Sequence, residues 1–313
     1  MKFPVFDLHC DTSDALSGLN GGVPCELKKN SVHIDLERIA AFPGYAQCFA
    51  CFTTTLERID PVDSFEKKMN AIHRELYKNT DRIIQAYSAA EIERNFRDGL
   101  ASAILTIEGP AGFGFDPALL EDLYRVGFRM STLGWNENNP LAGSHITGGG
   151  LTGQGRDYVQ EAQRLGMLID VSHISDEGFW DIIDITQAPV VASHSNSRAI
   201  CDVSRNLTDD MFRAICQTGG VVGINLYPDF LGENATLDTA AAHILHFLEL
   251  DPEGKHICLG GDLDGVERLP EGFNGVQDYS KLADLLLTGG LDENMVYNIF
   301  WNNALEVFKK CCM

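Results

Sequence analysis

Val5-Phe6-Asp7-Leu8-His9-Cys10-Asp11 opens the chain with an apolar strand that ends in a His-x-Asp pair. Side chains two positions apart on a strand share a face, so His9 and Asp11 can reach one ion from the strand's end. An imidazole and a carboxylate in that relation form half of a site for a hard or borderline cation. On its own the pair reads equally as a polar strand terminus. Its meaning depends on whether a buried strand followed by ligand-type side chains occurs again.

The pattern recurs along the whole chain. Further β-rich apolar runs lie at 46–52, 101–107, 129–133, 167–171, 189–192, 220–226 and 257–259, which with 5–8 make eight strand candidates. Segments 64–77, 117–126, 157–165, 176–185, 209–218 and 239–250 carry apolar residues at helical spacing or helix-start signals. Continuous apolar strands alternating with helices imply a parallel sheet covered on its outer face. Eight such units predict an α/β chain folded as a (β/α)8 TIM-like barrel, a single domain over residues 1–313. A doubly wound open sheet is the competing arrangement, but its Gly-rich fingerprint is missing after the first strand.

Composition narrows the function. Of 313 residues, 44% are hydrophobic and 22% charged, the usage of an ordinary globular protein with ample core. A formal charge of −21, with no Lys/Arg stripe to offset it, repels phosphate backbones and argues against nucleic-acid binding. No apolar run reaches membrane-spanning length, and the start Met1-Lys2-Phe3-Pro4 lacks the apolar stretch of a signal peptide, so a cytoplasmic protein with no membrane partner is expected. Nine cysteines, an odd number, fit reduced thiols better than a disulfide framework. Cys48-Phe49-Ala50-Cys51 has C-x-x-C spacing, yet on a strand its sulfurs face opposite sides and read as buried thiols.

In a barrel of this kind the reactive groups gather at the C-terminal ends of the strands. Those ends are polar here: Glu108-Gly109 follows the third run, Ser172-His173 the fifth, Ser193-His194 the sixth and Gly260-Gly261-Asp262 the eighth. With His9 and Asp11, six metal-competent side chains fall at one topological level. Each alone is commonly a capping or core-edge residue; six together predict a metal site.

These residues resemble the membrane (renal) dipeptidase family of zinc metallopeptidases. The ordered matches run nearly end to end: Asp7-Leu8-His9-Cys10-Asp11, Ile107-Glu108-Gly109, the stretch from Leu123 to Arg129, Leu151-Thr152 with Gly155-Arg156, Leu165 to His173, Ser193 to Asn196, Ser204-Arg205-Asn206 and Gly261 to Gly265. The resemblance implies a (β/α)8 barrel with two zinc ions, His9 and Asp11 on one, His173 and His194 on the other, and Glu108 bridging both. It implies that the pair activates a water, with Asp262 at the acid/base carboxylate that contacts substrate and passes a proton to the departing amine. Arg205 falls where the family binds the free carboxylate of a dipeptide, a role suited to a planar guanidinium. Hydrolysis of dipeptides, including those with a C-terminal D-residue, and a homodimer are further implications. Family members often carry after the fourth strand a histidine that contacts the scissile carbonyl; this chain has Trp135, which lines the rim either against substrate or as packing.

Two other readings of the chain remain. One is a related metal-dependent amidohydrolase acting on a lactam, lactone or other amide, against which stand His-x-Asp in place of His-x-His on the first strand and Arg205. The other is a catalytically silent barrel keeping metal for structure, disfavoured because a closed structural site needs only four ligands. Among the remaining histidines, His33, His73, His145 and His256 have no partner at metal spacing and read as surface or core residues, and His243 and His246 lack a zincin pattern. Glycines 148, 149, 150, 153 and 155 form a loop entering a helix at Asp157, near the rim, with no Lys-Ser/Thr to mark a phosphate cradle.

Overall fold

The computed structural model describes residues 2–19 and 22–312. Its strands are β1 (Val5–Cys10), β2 (Tyr45–Phe52), β3 (Ile83–Gln85), β4 (Ala101–Glu108), β5 (Phe128–Thr132), β6 (Leu168–Asp170), β7 (Val190–Val191), β8 (Val222–Ile224) and β9 (Ile257–Leu259). They pair in the order β7-β6-β5-β4-β2-β1-β9-β8, every ladder parallel. A parallel bridge between Ala192 and Val222 joins the two ends, with Ala192 N donating to Val221 O at 3.0 Å and Gly223 N to Ala192 O at 2.8 Å. Eight strands thus close into the (β/α)8 TIM-like barrel expected from the sequence.

The ninth strand, β3, went unread in the sequence because Ile83-Ile84 is too short an apolar run to separate from a turn. It pairs only with the first residues of β4, Ala101 to Ala103, while β5 takes the later part of the same edge. Helices start where capping chemistry allows. Pro61–Lys78 begins behind Asp60, whose carboxylate accepts from Val62 N at 2.9 Å, with proline at the first helical position. Asp176–Ile185 and Asp209–Thr218 match the predicted ranges and are capped by Ser175 and Thr208. The expected start at Asp157 is corrected: the helix runs Gly153–Leu165, because Thr152 Oγ1 accepts from Gly155 N at 3.0 Å. Gly153 and Gly155 therefore lie in its first turn, not in the preceding loop.

One end of the barrel is filled and the other is left for chemistry. Phe6, Leu8, Cys48, Ile104, Met130, Leu168, Val191 and Cys258 pack with Trp301 and Phe308, the latter from helix Asn303–Cys311 at the C-terminus. The Phe6 ring lies 5.3 Å from Phe308 and 5.8 Å from Trp301, centroid to centroid. Cys48 belongs to this inner cluster and Cys51 to the larger layer between barrel and helices, so the C-x-x-C sulfurs are buried on opposite faces.

β1 departs from plain alternation at a decisive place. Asp7 pairs with Gln47 and Cys10 with Phe49, so three steps on β1 oppose two on β2: a β-bulge. Strict alternation would put His9 on the face of Asp7, whose carboxylate engages Tyr279 and Gly261 N in the outer layer. The bulge turns His9 to the barrel axis, and Asp7 Oδ1 accepts the His9 N–H at 2.9 Å. That bond satisfies a backbone donor at the bulge.

Candidate active site

The six rim residues singled out in the sequence meet at the open end. His9 Nε2 lies 3.3 Å from Asp11 Oδ2, 3.3 Å from Glu108 Oε2 and 3.8 Å from Asp262 Oδ1. On the other side of the same carboxylate, Glu108 Oε1 is 3.0 Å from His173 Nε2 and 3.8 Å from His194 Nε2, and those two ring nitrogens are 3.1 Å apart. One atom each from His9, Glu108 and His194 lie mutually within 4.8 Å, as do atoms of His9, Asp11 and Asp262. All six carriers are buried or nearly so, and His9 Nε2 and Asp11 Oδ1 have no hydrogen-bond partner. Polar atoms left unpaired in the interior carry a desolvation penalty, and converging imidazole and carboxylate atoms are the donor set of a zinc-type cation. The residues fit a metal.

Backbone geometry holds this arrangement under strain. His173 and Asp262 both sit at positive φ, 69° and 57°, a conformation uncommon for residues other than glycine and often found at functional sites. Glu108 is followed by Gly109 at φ 75°, where a Cβ would lie 2.0 Å from Thr53 O, so only glycine fits the turn that aims Glu108 inward.

Outer hydrogen bonds set the ring tautomers. His173 Nδ1 lies 2.9 Å from Asn136 Oδ1, an acceptor only, so Nδ1 carries the proton and Nε2 presents its lone pair to the centre. His194 Nδ1 is 2.6 Å from Ser193 Oγ, which itself bonds Asp170. Burial, reinforced by Arg205 and the other histidines, holds His173 and His194 well below the usual imidazole pKa, the neutral state a metal requires. For His9 burial acts in the same direction, but the carboxylates of Glu108 and Asp11 outweigh it and raise the ring well above its ordinary value.

Asp262 is placed by Asn225, whose Nδ2 donates to Oδ2 at 3.0 Å. Burial raises its carboxyl to about 6; His9 pulls it down, Asp11 and Glu108 push it up, and the Asn225 bond lowers it. Arg205 is 3% exposed, donates from Nη1 to Ser195 Oγ at 2.7 Å, and has no partner at Nε or Nη2. Those two atoms form one edge of the guanidinium fork, the edge that binds a carboxylate through two parallel bonds. Trp135 is half-buried, its ring 5.0 Å from Phe52 and 6.1 Å from His173. It lines, with Phe52, Asp11, Asp14, Glu108 and Asp262, a cavity of about 350 Å³.

Several participants were not legible as such. Asn136 and Asn225 reach the site only through tertiary contacts, and the role of Ser193, although it directly precedes His194, depends on its bond to the distant Asp170. Asp14, on the cavity wall, pairs with buried Lys68, whose Nζ also donates to Phe52 O at 2.7 Å. His145, read as a surface or core residue with no partner at metal spacing, is half-buried and lies 3.0 Å from Asn136 Oδ1 through Nε2. His243 and His246 are engaged elsewhere, with Ser197 N and Leu231 O, and with Asp209.

Known proteins resemble the chain in sequence and in fold. An uncharacterized dipeptidase of Schizosaccharomyces pombe (strain 972) is 34% identical over 268 residues, covering 83% of this chain and 63% of that relative. The chain therefore aligns to less than two thirds of that protein's length. The solved structure of the dipeptidase AC, a metallo peptidase of family M19, shares 26% identity, with 99% of each chain covered and a TM-score of 0.87. A metallo peptidase from Rhodobacter sphaeroides, liganded with a phosphinate mimic of the dipeptide L-Ala-D-Ala, has the same fold, with 24% identity, 99% of each chain covered and a TM-score of 0.90. The family profile of membrane dipeptidase, peptidase family M19, matches residues 1–312. The chain belongs to the membrane dipeptidase family, peptidase family M19.

Proposed function

We propose that the protein is a binuclear zinc dipeptidase that hydrolyses dipeptides bearing a free C-terminal carboxylate, those ending in a D-residue included. The observation that carries this reading is the division of Glu108: Oε2 faces His9, and Oε1 faces His173 and His194. A carboxylate with its two oxygens turned to two donor sets suits two ions, which His9 and Asp11 would hold on one side and His173 and His194 on the other. Bound there, the metals supply Lewis acidity and an activated water at neutral pH.

The chain's own side chains supply the rest of the chemistry. Arg205 offers the Nε/Nη2 edge to the substrate carboxylate and so fixes one end of a short peptide. The cavity beside Trp135 and Phe52 receives the other residue, and its small volume favours two residues over a longer chain. Asp262 accepts a proton from the attacking water at its carboxylate and returns it to the departing amine, with Asn225 holding the carboxylate in place. Trp135 contributes an apolar wall and one N–H, so carbonyl polarisation depends on the other members of the site.

A cytoplasmic location accords with nine free thiols, five of them buried, and with no helix among the described residues being long and apolar enough to cross a membrane. A homodimer follows from the family resemblance and is read by light scattering. The function itself is tested with a panel of dipeptides, their carboxyl-amidated forms, and a lactam and a lactone. Hydrolysis of free-carboxylate dipeptides, abolished by a chelator and restored by zinc, is expected. Activity insensitive to metal removal, or turnover of the lactam or lactone alone, counts against the reading.

A further inference from the structure

His145 occupies a place that neither metal binding nor the proton path explains. Its backbone N donates to His173 O at 2.8 Å, and Ser144 forms an antiparallel bridge to Ile174, so the loop is tied across the strained backbone of His173. Its Nε2 is 3.0 Å from Asn136 Oδ1, the same oxygen that accepts from His173 Nδ1 at 2.9 Å. Its Nδ1 is 3.0 Å from Ser204 Oγ, and Ser204 immediately precedes Arg205. Ser144 Oγ donates to Asn136 O at 2.8 Å and fixes the shared acceptor from behind.

The hydrogen atoms in this chain can be arranged in only one way that leaves His173 Nε2 free. Asn136 Oδ1 accepts from both rings, which puts the His145 proton on Nε2 and makes Nδ1 the acceptor for the Ser204 hydroxyl. Burial, together with Arg205 and Arg198, depresses the His145 pKa to about 4, consistent with a neutral ring.

We propose that His145 is a positioning residue which, through Asn136 and Ser204, couples the metal ligand His173 to the substrate clamp Arg205. The coupling to Arg205 rests on the dipeptide reading; the positioning of His173 rests on the bonds just described. Outer-shell partners of metal-bound histidines typically govern metal retention by about 10–100-fold.

The test replaces His145 by phenylalanine, which keeps a ring without its hydrogen bonds, and separately makes Ser204→Ala at an exposed position where folding is not at stake. Zinc release to a colorimetric chelator, the melting temperature of the metal-free protein, and kcat and KM for Ala-Ala and its carboxyl amide are measured on each. In His145→Phe, zinc release of one equivalent should accelerate by about 10–100-fold with the metal-free melting temperature little changed. In Ser204→Ala, KM for Ala-Ala should rise more than kcat falls, with the amide unaffected. Unaltered zinc release in a His145→Phe protein that still cleaves dipeptides overturns the positioning role. Altered release in His145→Phe with unchanged KM in Ser204→Ala overturns the coupling. A wild-type protein that binds zinc but cleaves no dipeptide overturns the dipeptide reading and the coupling with it, and zinc release still decides the positioning of His173.

Discussion

Asp262→Asn is expected to lower kcat for a dipeptide by about 10²–10⁴-fold, the usual contribution of a positioned general acid–base group. Asparagine preserves volume and tolerates the left-handed backbone at φ 57° nearly as well as aspartate, so the variant changes proton chemistry with little strain. Its amide cannot accept the proton of the attacking water or return it to the amine. Zinc content and KM should stay close to wild type, because the proposed ligands His9, Asp11, Glu108, His173 and His194 are untouched. The pH profile carries an independent signature. The Asp262 carboxyl is raised to about 6, chiefly by burial, and a cation beside it would pull the value down. The carboxylate must be ionised to take a proton, so wild-type kcat should fall as pH drops through an acid limb at or below about 6. The residual activity of the variant should lack that limb. Loss of zinc from Asp262→Asn, or an unchanged acid limb, would count against the proton-transfer role.

Arg205→Ala is expected to reduce kcat/KM for free-carboxylate dipeptides by about 10²–10³-fold, mainly through KM. Truncating one partner of a buried, hydrogen-bonded charge pair costs about 2–5 kcal/mol, and each 1.4 kcal/mol is a factor of ten. The guanidinium is 3% exposed and open at Nε and Nη2, so water offers the substrate carboxylate no equivalent partner once it is removed. Arg205→Lys keeps charge without the fork and should recover only part of the loss. Carboxyl-amidated dipeptides give the control: wild type and Arg205→Ala should cleave them at similar, low rates. An equal loss on free and amidated substrates would mean that Arg205 supports the site's structure and does not hold the carboxylate.

What could be read from sequence follows from which interactions are local. The eight barrel strands declared themselves as short, largely apolar runs, five of them followed by ligand-type side chains, and helices such as Asp176–Ile185 did so through caps a few residues away. Glu108, His173, His194 and Asp262 were legible for the same reason: Glu108 ends its strand, and the other three lie three residues beyond theirs. The bulge in β1 was not, since it depends on the register against β2, and the pair His9 and Asp11 meets through it. β3 was hidden by its length, and the early start of Gly153–Leu165 by the glycines in its first turn. His145 illustrates the general limit. Its partners are 9, 28 and 59 residues away, Asn136, His173 and Ser204, and no spacing rule joins positions so far apart.

Titration of zinc into the metal-free protein, with bound metal and Ala-Ala hydrolysis followed together, tests the two-metal centre most directly. On the proposed reading, in which Glu108 serves both ions and neither set of ligands suffices alone, binding should saturate at two equivalents per chain, with hydrolysis reaching its full rate only on the second. Saturation at a single equivalent with full activity would contradict a binuclear site spanned by Glu108.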